Sequence, residues 1–150
     1  MTLIQERIED LSVYYFISDL FSGTPSIKIV DGFPESILTV PTISIDARRL
    51  DSTNFEMGNK KRLLTRSWYI DVFAQNKSQR DDIGYTILHA LEDCIPVYDY
   101  NSGFPPAIVT QLGCLEVDTL RMDIVRIMPQ FVDKLYYRSS ISLTAYFNMF

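Results

Sequence analysis

Residues 66–95 read RSWYIDVFAQNKSQRDDIGYTILHALEDCI, and this run decides the fold. Trp68, Ile70, Val72 and Ala74 alternate with Tyr69, Asp71 and Phe73. A period of two puts one row of side chains on each face of a sheet. Gln75-Asn76-Lys77 breaks the alternation. Ser78-Gln79-Arg80-Asp81 then resembles a capping box, with Asp where Glu or Gln is commoner. Ile83, Ile87, Ala90, Leu91 and Cys94 follow at helical spacing. The run predicts a strand, a short polar turn and a capped helix. It holds no Gly-rich phosphate loop and no nucleophile at the strand end, so it reads as scaffold.

Upstream, Thr2 to Phe21 predicts an amphipathic helix. Ile4, Ile8, Leu11 and Tyr15 form one stripe, widened by Val13, Phe16, Ile17 and Leu20. Glu6, Glu9 and Asp10 are expected on its outer face, where acidic groups suit a helix N-terminus. Ser22-Gly23-Thr24-Pro25 ends it, and a loop with Gly32 and Pro34 follows. Ile37 to Arg48 predicts a strand interrupted early by Pro41, which suggests an edge position or a bulge. A polar connection, Arg49 to Lys61, leads to the strand Arg62 to Gln75. The two strands are expected to pair as a long antiparallel hairpin with a basic tip. Downstream, Pro96 to Tyr100, Leu115 to Val125 and Phe131 to Tyr137 are further strand candidates. Ile141, Leu143, Ala145 and Phe147, alternating with Ser142, Thr144, Tyr146 and Asn148, form the clearest strand. The expected class is α+β: a mainly antiparallel sheet, an N-terminal helix and a second helix packed on one face.

The 150 residues fit one domain, 1–150, with a globular composition of 47% hydrophobic and 22% charged residues. The net charge of −5 is uneven. Between Arg48 and Arg66 lie Arg48, Arg49, Lys60, Lys61, Arg62 and Arg66 against Asp51 and Glu56, which leaves that segment at +4 and the remainder at −9. An acidic body argues against broad nucleic-acid binding. The basic cluster has three readings: a solvated hairpin tip, a contact with another subunit, or a phosphate or nucleic-acid patch, the last weakened by the lack of interleaved aromatics. Arg48, Arg49, Lys60, Lys61, Arg62 and Arg66 are the candidate inter-subunit or partner-contact residues.

Cys94 and Cys114 are too few for a disulfide scaffold, and their apolar neighbours predict two reduced core thiols. Met1-Thr2-Leu3 runs straight into Gln5, Glu6, Arg7, Glu9 and Asp10, which is no secretory leader. No apolar run approaches the roughly 20 residues of a membrane helix, so no membrane role is expected and assembly in a reducing cytoplasm is. His89 is the single histidine, set inside the second helix, and without a Cys-x-x-Cys pair it makes no zinc site. Asp81 and Asp82 suit the helix dipole better than paired acid–base work. Asp118 and Asp123, at odd separation on a strand, face opposite sides unless a bulge intervenes. No catalytic residue, metal or cofactor is expected, and the chain is not read as an enzyme.

Three features resemble the tail terminators and related tail-completion and neck proteins of tailed bacteriophages. They are the opening helix, the Trp68–Ala74 strand running through a Gln/Asn/Lys turn into the Ser78–Cys94 helix, and the Tyr136–Tyr146 strand closing the sheet. The resemblance implies a virion structural protein: a homo-oligomeric ring, typically a hexamer, that caps the tail tube and joins it to the neck or connector. It implies the tail tube and neck proteins as partners, DNA passing the lumen without sequence-specific binding, assembly in the host cytoplasm, and no catalytic residues. A head-side connector or head-closure protein is the alternative within that class. A non-viral small-ligand-binding module or enzyme subunit is the alternative outside it.

Overall fold

The computed structural model describes residues 4–32, 41–54, 62–101, 103–104, 110–125 and 137–149. Helix α1 (Gln5–Leu20) precedes strands β1 (Lys28–Asp31), β2 (Thr42–Asn54) and β3 (Arg62–Ala74). Helix α2 (Lys77–Ala90) and strands β4 (Ile95–Tyr98), β5 (Gln111–Val125) and β6 (Tyr137–Met149) follow. The strands form one sheet in the order β1-β2-β3-β6-β5-β4. Every pairing is antiparallel except β1 with β2. This is the α+β architecture the sequence predicts, and the long hairpin is present, with β2 and β3 in register from Thr42↔Phe73 to Asn54↔Arg62.

The alternation in β3 and β6 sets the core. Trp68, Ile70 and Val72 stand opposite Leu143, Ile141 and Ser139 on one face, and that face receives both helices. Val13 and Ile17 come from α1, and Ile83, Ile87 and Leu91 from α2. Fully burying one such side chain contributes roughly 1.5–3 kcal/mol. Gly84 brings α2 close: a Cβ there would lie 2.7 Å from Met122 Cε and 3.4 Å from Ser139 Oγ. The opposite face carries Ser67, Tyr69, Ser142, Thr144 and Tyr146. There the Ser67 and Thr144 hydroxyls lie 3.2 Å apart, and Glu116 accepts from the Tyr146 hydroxyl.

Several expectations change in detail. Helix α1 starts at Gln5, and its inward face is Ile8, Glu9, Ser12, Val13 and Ile17, while Ile4 is 69% exposed. The expected Ile4–Tyr15 stripe is therefore rotated by about one position, and Glu9 turns inward instead of facing solvent. The physical reason is Arg66, which reaches α1 from β3 and holds its acidic side chains against the sheet. Asn76, not Ser78, caps α2, accepting from the Gln79 N–H at 2.8 Å, and Gln79 Oε1 accepts in return from the Gln75 N–H at 2.9 Å. Helix α2 stops at Ala90, so Cys94 lies beyond it and is exposed, and only Cys114 occupies the core position expected of both. Neither thiol is bonded.

Residues 28–31, expected as loop, form β1. Pro41 stands just before β2, where no ladder N–H is required, and its carbonyl accepts from the Lys28 N–H at 3.1 Å. The connection expected from Arg49 onward is strand as far as Asn54. The starts expected at Ile37 and Phe131 lie outside the described residues.

Candidate functional site

The hairpin outruns its neighbours. Strand β1 covers only Thr42–Ile45, and β6 reaches β3 only as far as Thr65. From Asp46 to Asn54, β2 has β3 as its sole strand partner among the described residues, and Arg62–Leu64 have β2 alone. Only Ser52–Asn54 with Arg62–Leu64 are two-stranded; from Asp46 to Asp51, β2 is the open edge of a sheet that β6 and β5 continue beyond β3. Burial marks the change: Thr42–Ile45 are buried, whereas Ala47–Leu50 are exposed. A bulge between Ala47 and Arg49 increases local twist and blunts the open edge. Leu50, 49% exposed, stands on this edge strand.

The described candidate contact residues, Arg48, Arg49 and Arg66, serve separate partners. Arg48 Nε lies 3.3 Å from Asp46 and Arg49 Nε 2.9 Å from Asp51, so both are neutralised along their own strand. Arg48 also stacks on Tyr69, 5.2 Å from the ring centroid. Lys60 and Lys61 lie outside the described residues, as does the side chain of Arg62. Arg66 leaves the surface set altogether. It is 6% exposed, and it is occupied within the chain.

Around Arg66 the structure builds a buried charge cluster. Its Nη2 lies 2.8 Å from Asp10 Oδ1, its Nη1 donates to the Glu6 carbonyl at 2.7 Å, and Glu9 Oε2 stands farther off at 3.6 Å. Trp68 Nε1 donates to the same Asp10 oxygen at 2.9 Å, and the guanidinium lies 5.0 Å from the indole centroid. One cation therefore serves two carboxylates, and Asp10 holds the closer position. Glu9, 3% exposed, is pushed up to about 7 by burial, against the lowering pull of Arg66 and with Glu6 and Asp10 adding to the rise. The sequence carried a signal for this cluster. The period of two that buries Trp68, Ile70 and Val72 also turns Arg66 inward, where a buried cation requires partners.

Other chemistry-bearing residues stay apart. His89 is exposed and lies 3.1 Å from Glu92. Asp81 holds Arg80 at 3.0 Å. Asp118 sits at the β5 bulge between Val117 and Thr119, and Asp123 pairs with Arg121 at 3.1 Å. Among the described residues no three His, Cys, Asp or Glu side chains group to hold a metal, and no helix is long and apolar enough to cross a membrane. Between α1 and β4 lies a pocket of about 150 Å³, lined by Ser12, Tyr15, Phe16, Asp19, Pro96 and Tyr98.

No protein-family model matches the sequence, and no curated protein matches it. The fold does recur among solved structures. One aligns over 99% of both chains with a TM-score of 0.61 at 11% sequence identity. At that identity the likeness is one of fold alone.

Proposed function

We propose that the chain is a ring-forming structural subunit of a bacteriophage tail, of the tail-terminator kind, which caps the tail tube and joins it to the neck. The observation that supports this most is the open edge of β2 from Asp46 onward, at the rim of the sheet. The two-stranded tip, Ser52–Asn54 with Arg62–Leu64, is marginal by itself in water, and an open strand edge invites pairing with another chain. A closed ring needs two different faces on each subunit, one fitting the other on the next copy. That edge, with Leu50 exposed on it, supplies one such face. A hexamer is the ring size the sequence resemblance favours. On this reading the chain acts in the virion with the tail tube and neck proteins, DNA crosses the lumen without sequence-specific contacts, and no catalysis is involved.

Negative-stain imaging and sedimentation of the purified protein, alone and with neck and tail proteins, test the proposal. A closed ring in either condition is expected. Reversing Lys60, Lys61 and Arg62 to Glu, or replacing Leu50 with Glu, leaves the monomer folded by circular dichroism and impairs assembly. A monomer under every condition sinks the proposal. A ring that binds the head-side portal and not the tail tube makes the head-closure role the correct one.

A further inference from the structure

The pocket between the last turns of α1 and strand β4 has the chemistry of a cation site. Two of its walls are tyrosine rings: Tyr15 and Tyr98 meet edge to face, with centroids 6.1 Å apart and an interplanar angle of 86°. Phe16 adds a third aromatic side chain, and Pro96 a rigid apolar one. Phe104 and Tyr100 pack behind Tyr15, at 5.8 and 6.3 Å between centroids, which fixes that ring in place. Ring faces carry negative quadrupolar charge and attract cations lying within about 6 Å of the centroid.

The carboxylate in the pocket strengthens the case. Asp19 lies in the last turn of α1, which contains no basic residue. A helix C-terminus already carries partial negative charge, so an acid there is disfavoured unless a cation offsets it. No ion pair to Asp19 exists among the described residues. Elsewhere the chain supplies its own cations to aromatic faces, with Arg48 on Tyr69, Arg66 on Trp68, Arg80 on Tyr137 and Arg138 on Phe73. Tyr15, Phe16 and Tyr98 receive none among the described residues. An acid and three aromatic side chains thus line one open space, none of them with a cationic partner among the described residues.

Size narrows the ligand. At about 150 Å³ the pocket falls below the roughly 300–1,000 Å³ of sites for drug-sized molecules. It admits a single polyatomic group, not a nucleotide or an oligosaccharide. We infer that this pocket binds one organic cation, an alkylammonium or guanidinium group, against its aromatic walls with Asp19 as its counter-ion. The inference does not depend on ring formation, because the pocket is built by α1 and β4 of one chain.

Saturation-transfer NMR tests it, with tetramethylammonium and N-acetyl-arginine amide as probes and tert-butanol as the neutral probe of similar size. Both cations are expected to show saturable transfer with millimolar dissociation constants, and tert-butanol at least tenfold weaker binding. Asp19→Asn, at an exposed position, weakens cation binding at least tenfold, and Tyr98→Leu does so independently. Asp123→Asn, on the far side of the sheet, leaves it unchanged. Equal binding of tert-butanol, or undiminished binding to both pocket variants, overturns the inference, as does an absence of transfer from both cations. Dilution separates the two sources of such a group. If a side chain of a second copy fills the pocket, probe affinity rises on dilution and excess probe lowers the sedimentation coefficient. If the natural ligand is a free small cation, neither changes.

Discussion

Replacing Glu9 with Gln should make the protein less sensitive to pH between 5 and 8. Glu9 is buried beside Arg66, but Asp10 sits closer to the guanidinium, at 2.8 Å against 3.6 Å. Its folded pKa is about 7, raised from an ordinary value of 4.5. A carboxyl whose pKa is raised in the fold contributes stability that is fully present below its unfolded pKa. That contribution is lost as pH rises through the folded pKa. A rise of that size corresponds to roughly 3 kcal/mol at low pH, at 1.36 kcal/mol per unit. About 2–3 kcal/mol of it disappears between pH 5 and pH 8. Gln keeps the shape and stays neutral, so the stability difference between Glu9→Gln and the parent should move toward the variant by about that amount as pH rises. Urea unfolding at pH 5, 6, 7 and 8 measures this, with Trp68 fluorescence as the probe, since its indole donates to the neighbouring Asp10. A difference that is constant with pH, or that moves toward the parent as pH rises, refutes the account of a Glu9 carboxyl raised by its burial. Arg66→Leu, by contrast, leaves Asp10 without its cation and should cost about 3–5 kcal/mol at neutral pH.

Ile87 is fully buried on the inward face of α2, and Ile87→Ala should cost roughly 2–5 kcal/mol in the same unfolding assay; a loss well under 1 kcal/mol would place the wrong helix face against the sheet. Gly84→Ala crowds only the flexible end of Met122, touches Ser139 at ordinary contact distance and gains helix propensity, so its stability should stay within about 1 kcal/mol of the parent. Gly84→Leu, which must displace Ser139 and the sheet behind it, should cost several-fold more by the same measurement. Burial and the adjoining Cys94 thiol push Cys114 up to about 11, so iodoacetamide at pH 8 should label Cys94 in the native protein and Cys114 only after denaturation. Mass spectrometry reads both labels, and an intact Cys94–Cys114 disulfide in the freshly purified protein would contradict the unbonded state.

What could be read from sequence depended on range. The β3–α2 unit was legible because its signals are local: alternation from Trp68 to Ala74, then helical spacing from Ile83 to Leu91. The hairpin was legible for the same reason, although charged residues hid the strand character of Arg49–Asn54. Strand β1 was not legible. Four residues carry little periodicity, and only the parallel partner Thr42–Ile45 makes them a strand. The inward turn of Glu9 depended on Arg66, 57 positions later, although the alternation of β3 already placed Arg66 among buried neighbours. Charge counting over Arg48–Arg66 also missed that Asp46, just outside the segment, neutralises Arg48. The pocket joins Asp19 to Tyr98, a juxtaposition that no local pattern encodes.

The position of β6 has a consequence for how the chain is made. It is the C-terminal strand in the sequence order, yet it sits inside the sheet, between β3 and β5. Until residues 137–149 have emerged, Thr65–Ala74 and Gly113–Val125 each present an unpaired edge, and the sheet exists as two separate halves. The joining contacts span up to about eighty positions of chain, so the entropy of loop closure must be met before they form, which is the kind of topology that slows folding. A nascent chain paused before that strand therefore carries two open templates for aggregation. The serine-rich run Ser139-Ser140-Ile141-Ser142 places polar groups within the strand that must insert last.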